Sequence, residues 1–299
     1  MRFPIVAVVT GGTGFIGSRL VQALLQQGAS VRLVSSGTTA RDSVLAEDQR
    51  IAWFGLSDAD LDQAANGATH FFNFAVAYDR PVIDDATITA VNVELPLRLI
   101  ARLKGRDKPV NCILGDTFFR KFPPEATQQV RYTRSKTELV ECLASFASEN
   151  SLRLALLQIE QVFGPGEAFT KALPSVTRQM IAGVSRIPMT NGAQSRDFIY
   201  IDDVVGAILA VADAEWEGCV VVECGSGIPT TVREVFEQLH RITRSASILG
   251  FGDIKVEQSI PTSVADIGWL LRRGWVPRTT LQEGLAKLAD DVRMRAETQ

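Results

Sequence analysis

The fold is decided near the start of the chain by the stretch Thr10-Gly11-Gly12-Thr13-Gly14-Phe15-Ile16-Gly17. Before it, the run Ile5–Thr10 is rich in β-branched and small residues and predicts a buried strand. After it, apolar residues recur at helical spacing over Phe15–Gln27, and Gly28 ends the pattern. The stretch is therefore expected to connect a strand to a helix.

Glycines at positions 11, 14 and 17 let the backbone turn tightly, approach a phosphate closely and pack the helix on the strand. The N-terminus of the following helix offers unpaired N–H groups and partial positive charge to an anion. In this context the GxxGxxG spacing predicts a dinucleotide-binding loop. A structural glycine-rich turn is the alternative, and the flanking strand and helix weigh against it. The expected cofactor contacts in this loop are Gly11, Gly14, Phe15, Ile16 and Gly17.

Short apolar runs alternate with helical patterns through the first half of the chain. The further strands that we expect are Val31–Ser35, Ile51–Phe54, Thr69–Phe74, Val110–Leu114 and Leu152–Ile159, and the helices include Val91–Leu103 and Tyr132–Glu149. This alternation predicts an α/β fold with a Rossmann-like, doubly wound parallel sheet. After Gly164-Pro165-Gly166 the pattern loosens. We expect an NAD(P)-binding domain over residues 1–163, with elements near 196–222 returning to it, and a smaller, interleaved C-terminal substrate lobe over 164–299.

Composition excludes several classes of function. The chain has 299 residues and a formal net charge of −3, which argues against a bulk electrostatic grip on nucleic acid. Four cysteines without CxxC pairing and two histidines make a zinc site improbable. No stretch approaches the length of a membrane span, and the apolar run at the N-terminus is too short for a signal peptide. These features predict a cytoplasmic protein without metal, nucleic acid or membrane partners.

The segment Tyr132-Thr133-Arg134-Ser135-Lys136 places a tyrosine and a lysine on one face of a predicted helix. A phenol is a poor acid or base near neutral pH, and a neighbouring ammonium is expected to lower its pKa. About 120 residues after a dinucleotide loop, this YxxxK pattern predicts a catalytic acid/base pair that also contacts the cofactor. An exposed start of a helix is the alternative.

The end of the second predicted strand reads Val34-Ser35-Ser36-Gly37 and lacks the carboxylate that would hold the adenosine ribose of NAD. A 2′-phosphate is therefore permitted, and Ser35 and Ser36, with Arg19 or Arg41, are candidates to hold it. This slightly favours NADP(H) over NAD(H).

Further motifs point to a known family. These motifs are Asn92-Val93, Phe163-Gly164-Pro165-Gly166 and Arg196-Asp197-Phe198-Ile199-Tyr200-Ile201-Asp202-Asp203-Val204. With the glycine loop and YxxxK, they resemble the extended short-chain dehydrogenases/reductases of the NAD-dependent epimerase/dehydratase family over nearly the whole chain. More narrowly, Asp116–Lys121, Ile159–Gly164 and Cys224–Gly227 resemble nucleotide-sugar 4-ketoreductases of the CDP-paratose and CDP-abequose synthase type.

The resemblance implies roles for single residues. Tyr132 would donate or accept the proton, with Lys136 as its electrostatic partner. The family places Ser or Thr where this chain has Gly115, so Thr117 is the expected substitute, or else a turn threonine. Arg196 would contact the diphosphate, or else pair with Asp197 or a carbonyl. The remaining expected cofactor contacts are Asp58, Phe74, Ala75 and Asn92.

The expected reaction is NAD(P)H-dependent reduction of a nucleotide-diphosphate 4-keto-(6-deoxy)hexose. A nucleotide-sugar epimerase with tightly bound NAD and a catalytically silent dinucleotide-binding regulator are the alternatives. Dehydration is disfavoured, because Thr117 replaces the glutamate expected beside Asp116. The family resemblance also implies a homodimer through the helices at Val91–Leu103 and Tyr132–Glu149. The leucines on these helices are equally explained as packing on the sheet: Leu95, Leu99, Leu139 and Leu143.

Overall fold

The computed structural model describes residues 5–37, 45, 48–105, 108–146, 152–255 and 262–297. Its first half alternates strands and helices in the order β1 Val6–Thr10, α1 Phe15–Gln26, β2 Ser30–Val34, β3 Ile51–Phe54, α2 Asp58–Ala65, β4 His70–Asn73, α3 Asp85–Thr89, α4 Leu95–Leu103, β5 Val110–Thr117, α5 Val130–Leu143 and β6 Leu152–Ile159. The later elements are β7 Gln161–Phe163, α6 Ala172–Ile181, β8 Arg186–Met189, β9 Ser195–Tyr200, α7 Ile201–Asp213, β10 Cys219–Cys224, β11 Pro229–Thr231, α8 Val232–Thr243, β12 Ile248–Phe251, α9 Gly268–Leu271 and α10 Leu281–Glu297.

A seven-stranded sheet carries the first half of the chain, with the strand order β10-β6-β5-β4-β1-β2-β3. The pairings of β1 with β2 and β4, of β2 with β3 and of β4 with β5 are all parallel. The order reverses between β1 and β4, and ligands of doubly wound sheets bind outside the carboxyl ends of the strands at such a switch point. The predicted Rossmann-like fold class is confirmed.

The chain divides into two compact units. The first unit comprises Met1–Gln158 and Val205–Val222, and the second comprises Ile159–Val204 and Glu223–Gln299. The second unit therefore includes residues 159–163 and 196–204, which the sequence analysis placed with the first. The pairing of β9 with β7 and β11 explains this membership, because it ties these residues into a separate three-stranded sheet.

The second unit holds two small sheets and the helices α6, α8, α9 and α10. Its three-stranded sheet has the order β11-β9-β7, and β12 pairs with β8 in a parallel ladder. The helix α8 begins with a capping box in which Thr231 accepts from the Glu234 backbone and the Glu234 carboxylate accepts from Thr231.

The helical region before β5 differs from the prediction of one α-helix over Val91–Leu103. A π-helical turn spans Ala90–Glu94 and separates α3 from α4. The predicted helix Tyr132–Glu149 is α-helical only to Leu143, a short 3₁₀ turn follows, and residues 147–149 lie outside the described part of the chain. A π-turn leaves the apolar spacing almost unchanged, so the sequence pattern did not reveal it.

The four leucines that were considered for a dimer contact lie in the core of the first unit. Leu95, Leu99, Leu139 and Leu143 all belong to one buried cluster, and none is more than 9% exposed. They pack inside this unit, which confirms that these leucines contribute to its core. They are not exposed and cannot form a dimer face.

Candidate active site

The glycine loop at the end of β1 is packed too closely for side chains. Gly11 has φ 70°, and a Cβ there would collide with the backbone of Phe74 and Ala75. A Cβ at Gly17 would collide with the Gly11 carbonyl. The structure therefore brings the predicted contacts Phe74 and Ala75 directly against the loop, at the switch point of the sheet.

The first turn of α1 fits an anionic cofactor. Gly14 is the N-cap residue and has no side chain to cap the helix, and the first turn contains no acidic residue. The first N–H groups of a helix, here those of Phe15, Ile16 and Gly17, have no acceptor within the helix. Their uncapped donors and the helix dipole suit the diphosphate of a dinucleotide.

The residues expected near the adenosine end lie in different environments. Ser35 and Ser36 follow β2, next to β1, and Ser36 is exposed. Arg19 lies on α1, whereas Arg41 is outside the described residues. Asp58 opens α2, and its carboxylate pairs with Arg98 at 2.8 Å and with Arg102 at 2.7 Å.

Tyr132 and Lys136 lie on α5 and are both buried, with 6% and 3% of their surfaces exposed. The Lys136 ammonium donates to the Gly115 carbonyl at 2.7 Å and lies 5.9 Å from the centre of the Tyr132 ring. Burial lowers the pKa of Lys136 to about 8; the Asp116 carboxylate opposes this shift and Arg120 adds to it.

The expected lowering of the Tyr132 pKa by its lysine is not found. Burial raises the pKa of Tyr132 well above its usual value, and Tyr78 and Asp116 add to the rise. The opposing contribution is a hydrogen bond with the Thr117 hydroxyl. In this environment the phenol keeps its proton at neutral pH, and donation of that proton requires stabilisation of the phenolate that it leaves.

Thr117, not residue 115, brings a hydroxyl to Tyr132. Thr117 ends β5, is 5% exposed, and also accepts from the Phe119 backbone at 3.3 Å. A Cβ at Gly115 would lie 2.9 Å from Cδ1 of Phe74, so the Phe74 ring fills the space that a side chain at 115 would need. The hydroxyl next to Tyr132 therefore comes from Thr117, and the Phe74 ring lies next to Gly115.

Asp116 and Arg120 form a buried ion pair beside this centre. The Arg120 guanidinium donates from Nε and Nη2 to both oxygens of Asp116, at 2.7–3.0 Å. The side chain of Asp116 is 2% exposed. Both oxygens of this carboxylate are therefore engaged by arginine within the protein.

Asn92 lies on the π-turn, and its contacts are with the protein itself. Its side chain accepts from the Ala77 N–H at 2.8 Å and donates to the Ala77 carbonyl and to the Ser135 hydroxyl, each at 2.9 Å. Ser135 in turn donates to the Tyr132 carbonyl. The expected cofactor contact is thus placed as a support of the helix that carries Tyr132 and Lys136.

Arg196 lies in the second unit, on β9, and is 7% exposed. It donates to the Ser195 carbonyl at 2.6 Å, and the nearby carboxylate of Glu160 partly offsets the lowering of its pKa by burial. Its neighbour Asp197 accepts from Ser226, Gly227 and Ala265, so the alternative pairing with Asp197 is not the one found.

Sequence reasoning missed two features of this region. Tyr78 follows β4 in the segment Asn73–Arg80, and its ring lies 5.1 Å from that of Tyr132. Arg131 binds Asp79 and lies next to Tyr132 in the chain. The available signal was the position of Tyr78 shortly after β4, the strand that pairs with β1.

Within the described residues, no group of three or more His, Cys, Asp or Glu side chains is arranged to hold a metal ion. In the same part of the chain, no helix combines the length and hydropathy needed to cross a bilayer. The four cysteines are free thiols.

The sheet order, the glycine loop and the Tyr132–Lys136 pair together define an enzyme of the extended short-chain dehydrogenase/reductase class. The chain belongs to the NAD dependent epimerase/dehydratase family, which matches residues 7–222.

Individual relatives extend the similarity over the whole chain. The chain is 28% identical to a CDP-abequose synthase of Salmonella muenchen, covering 94% of this chain and 96% of that protein. It is 26% identical to a UDP-glucose 4-epimerase of Mycolicibacterium smegmatis, covering 97% and 99%. The fold matches the Bordetella bronchiseptica enzyme WbmF, solved with NADH, at a TM-score of 0.83, with 19% identity and coverage of 98% and 93%.

Proposed function

We propose that this enzyme reduces a nucleotide-diphosphate-linked 4-keto-6-deoxyhexose with NAD(P)H. The observation that carries the proposal is the arrangement of three buried side chains: Tyr132 and Lys136 on α5, and Thr117 at the end of β5, hydrogen-bonded to Tyr132. Reduction of a carbonyl needs a proton donor at the oxygen. The phenol of Tyr132 is the candidate for that donor, because the Lys136 ammonium lies close to its ring and can stabilise the phenolate that donation leaves.

The cofactor would be held by the chain segments around the switch point. Gly11, Gly14 and Gly17, with the N–H groups of Phe15 and Ile16, suit its diphosphate. Phe74 and Ala75 lie against this loop, and Lys136 is the candidate to bind the nicotinamide ribose. When bound, the cofactor supplies the hydride for the carbonyl carbon.

The side chains of the centre have separate roles in this proposal. Tyr132 donates its proton to the carbonyl oxygen, and Thr117 donates a hydrogen bond that orients that oxygen. The Lys136 ammonium lies close enough to stabilise the phenolate that remains. The Asp116–Arg120 pair fixes the local charge without supplying a proton.

The substrate class rests on the relatives. Similarity to a CDP-abequose synthase over 94% of the chain supports a CDP-linked deoxysugar substrate. Arg196 remains the candidate contact for the diphosphate. Its Nη1 donates to the Ser195 carbonyl, and a guanidinium has further N–H donors that suit a phosphate. The carboxylate-free end of β2, with Ser35 and Ser36, supports NADP(H) over NAD(H). We also retain the proposals of a homodimer and of a cytoplasmic location.

An epimerase with tightly bound NAD is the second candidate, favoured by the similarity to a UDP-glucose 4-epimerase. Dehydration is less well supported, because both oxygens of Asp116 are bound by Arg120. The intact Tyr132, Lys136 and Thr117 weigh against a silent regulator.

The test is NADPH and NADH oxidation, followed at their absorbance band, with CDP- and dTDP-4-keto-6-deoxyhexoses as substrates. We expect turnover with one sugar, a fall in kcat of about 10²–10⁴-fold in Tyr132→Phe, and a smaller loss in Thr117→Ser than in Thr117→Val. A purified protein that carries non-exchangeable NAD and interconverts two sugars without net oxidation would replace this proposal with the epimerase.

A further inference from the structure

The segment after β4 is held on both sides of Tyr78. On one side, both backbone groups of Ala77 bond to the side chain of Asn92. On the other side, the Asp79 N–H donates to Gln129 at 3.1 Å, and the Asp79 carboxylate pairs with Arg131 at 2.7 Å. The backbone that carries Tyr78 is thus fixed from Ala77 to Asp79.

Arg131 extends the second attachment along the same segment. Its guanidinium also donates to the carbonyls of Arg80 and Ile83 and to the carboxylate of Asp85, at 2.9–3.1 Å. Gln129 is the N-cap residue of α5, and Arg131 is the second residue of this helix and directly precedes Tyr132. The elements that place Tyr132 therefore place Tyr78 as well.

The Tyr78 ring makes direct contact with the proton donor. The two ring centres are 5.1 Å apart and the planes are tilted by 46°, a favourable aromatic arrangement. Tyr132 is almost completely buried, whereas Tyr78 is half-buried and keeps part of its surface toward solvent. The exposed part of the Tyr78 ring is therefore available to contact a ligand beside Tyr132.

We propose that Tyr78 is a substrate-positioning and specificity-determining residue, whose ring packs against the apolar edge of the sugar next to the reacting carbonyl. In a 6-deoxyhexose that edge includes the C6 methyl group. A neutral aromatic ring favours C–H groups over a polar C6 substituent, so Tyr78 selects 6-deoxy sugars over 6-hydroxy sugars. This inference rests on the proposed function and names the part of the substrate that the enzyme recognises.

The test compares KM, kcat and sugar preference of Tyr78→Phe and Tyr78→Ala with those of the wild type. Val82→Ala is the matched control, because Val82 lies in the same segment and is 88% exposed. We expect Tyr78→Ala to raise KM for the keto-6-deoxy sugar about tenfold, with a smaller change in kcat and no change in KM for the nicotinamide cofactor. Tyr78→Phe keeps the ring and should retain most of the affinity, and the preference for a 6-deoxy over a 6-hydroxy keto sugar should fall only in Tyr78→Ala.

Saturation-transfer NMR provides a readout that does not need turnover. With a CDP- or dTDP-linked 6-deoxyhexose as the probe, transfer to the C6 methyl protons should drop in Tyr78→Ala while transfer to the base protons persists. If Tyr78→Ala does not fold, Tyr78→Leu removes the aromatic ring and replaces it in the same comparison. Unchanged KM, sugar preference and methyl transfer in a folded variant would overturn the proposal. A wild type that reduces no sugar would contradict the proposed function alone, and the NMR comparison would still decide the role of Tyr78.

Discussion

At the end of β5 the hydroxyl group next to Tyr132 is supplied by Thr117, and Gly115 leaves room for the Phe74 ring. A side chain at 115 would crowd the Phe74 ring, because its Cβ would lie 2.9 Å from Cδ1 of Phe74. The hydroxyl that contacts Tyr132 comes instead from Thr117, on the same strand and, by the two-residue alternation of a strand, on the same face. The absence of Ser or Thr at 115 therefore does not imply an inactive centre.

Because a side chain at 115 would press on Phe74, we expect the effects of substitutions at positions 74 and 115 on the unfolding free energy to be strongly coupled. We expect Gly115→Ser to lower the free energy of unfolding by about 1–3 kcal/mol, because the added side chain overpacks against Phe74. Phe74→Ala should remove that penalty, so the double variant should be more stable than the sum of the two single changes implies. Denaturant unfolding of the four proteins measures this, and additive effects would show that the ring and the side chain do not compete.

The charges around Lys136 predict two opposite changes in the pH profile. Lys136 has a pKa of about 8, lowered by burial and by Arg120 and raised by Asp116. Its ammonium is lost as pH rises through this value, so we expect kcat to decline above about pH 8. Arg120→Gln should move the decline to higher pH, and Asp116→Asn should move it to lower pH.

The measurement is kcat against pH for the three proteins, each checked for folding by circular dichroism. Shifts of the same sign in both variants would contradict the assignment of the decline to Lys136.

The sequence pattern predicted the strands of the large sheet well, but it did not predict the π-helical turn that carries Asn92. Strands such as Ile51–Phe54 and Leu152–Ile159 have the predicted bounds, because short runs of mostly apolar residues mark them in the sequence. The π-turn at Ala90–Glu94 was missed, and it carries Asn92, whose partners Ala77 and Ser135 are distant in sequence. Local periodicity carries no information about such contacts.

Substitution of Asn92 tests whether its bonds to Ala77 and Ser135 stabilise the fold. Asn92→Leu would leave the Ala77 N–H and carbonyl without their partner, and each unsatisfied group costs roughly 1–3 kcal/mol. Ser135→Ala removes only one of the three bonds of Asn92 and should cost about 1 kcal/mol. We expect a clearly larger loss of unfolding free energy in Asn92→Leu. Equal losses in denaturant unfolding would show that the attachment of Ala77 does not stabilise the fold.

For the whole molecule, the sequence predicted the fold class but not how the second unit is assembled. The glycine loop and the strand–helix alternation imply a doubly wound sheet, because few arrangements can bury alternating strands and helices. The second unit is built from short strands in two small sheets, and its internal contacts join residues far apart, such as Gly166 with Asp291. Contacts of this kind leave no periodic signal in the sequence.

The second unit contains a buried carboxyl group that should make the stability of the protein depend on pH. Glu167 is 6% exposed, and burial raises its pKa from 4.5 to about 7, although Lys171 and Arg295 oppose the shift. Between these two pH values the folded protein holds a proton that the unfolded chain has lost. The free energy of unfolding should therefore fall as pH rises from about 4.5 to 7, by roughly 1–3 kcal/mol.

The comparison of wild type with Glu167→Gln isolates this carboxyl group. The glutamine variant keeps the shape of the side chain without its titration. The difference in unfolding free energy between the two proteins should therefore grow in favour of the variant as pH rises from about 4.5 to 7, and level off above pH 7. Glu297→Gln, at an exposed position near the end of α10, is the matched control and should follow wild type. Urea unfolding at pH 5, 6 and 7 provides the measurement. A constant difference between wild type and Glu167→Gln across this range would mean that Glu167 is ionised in the folded protein and that its buried position is compensated by Lys171 and Arg295.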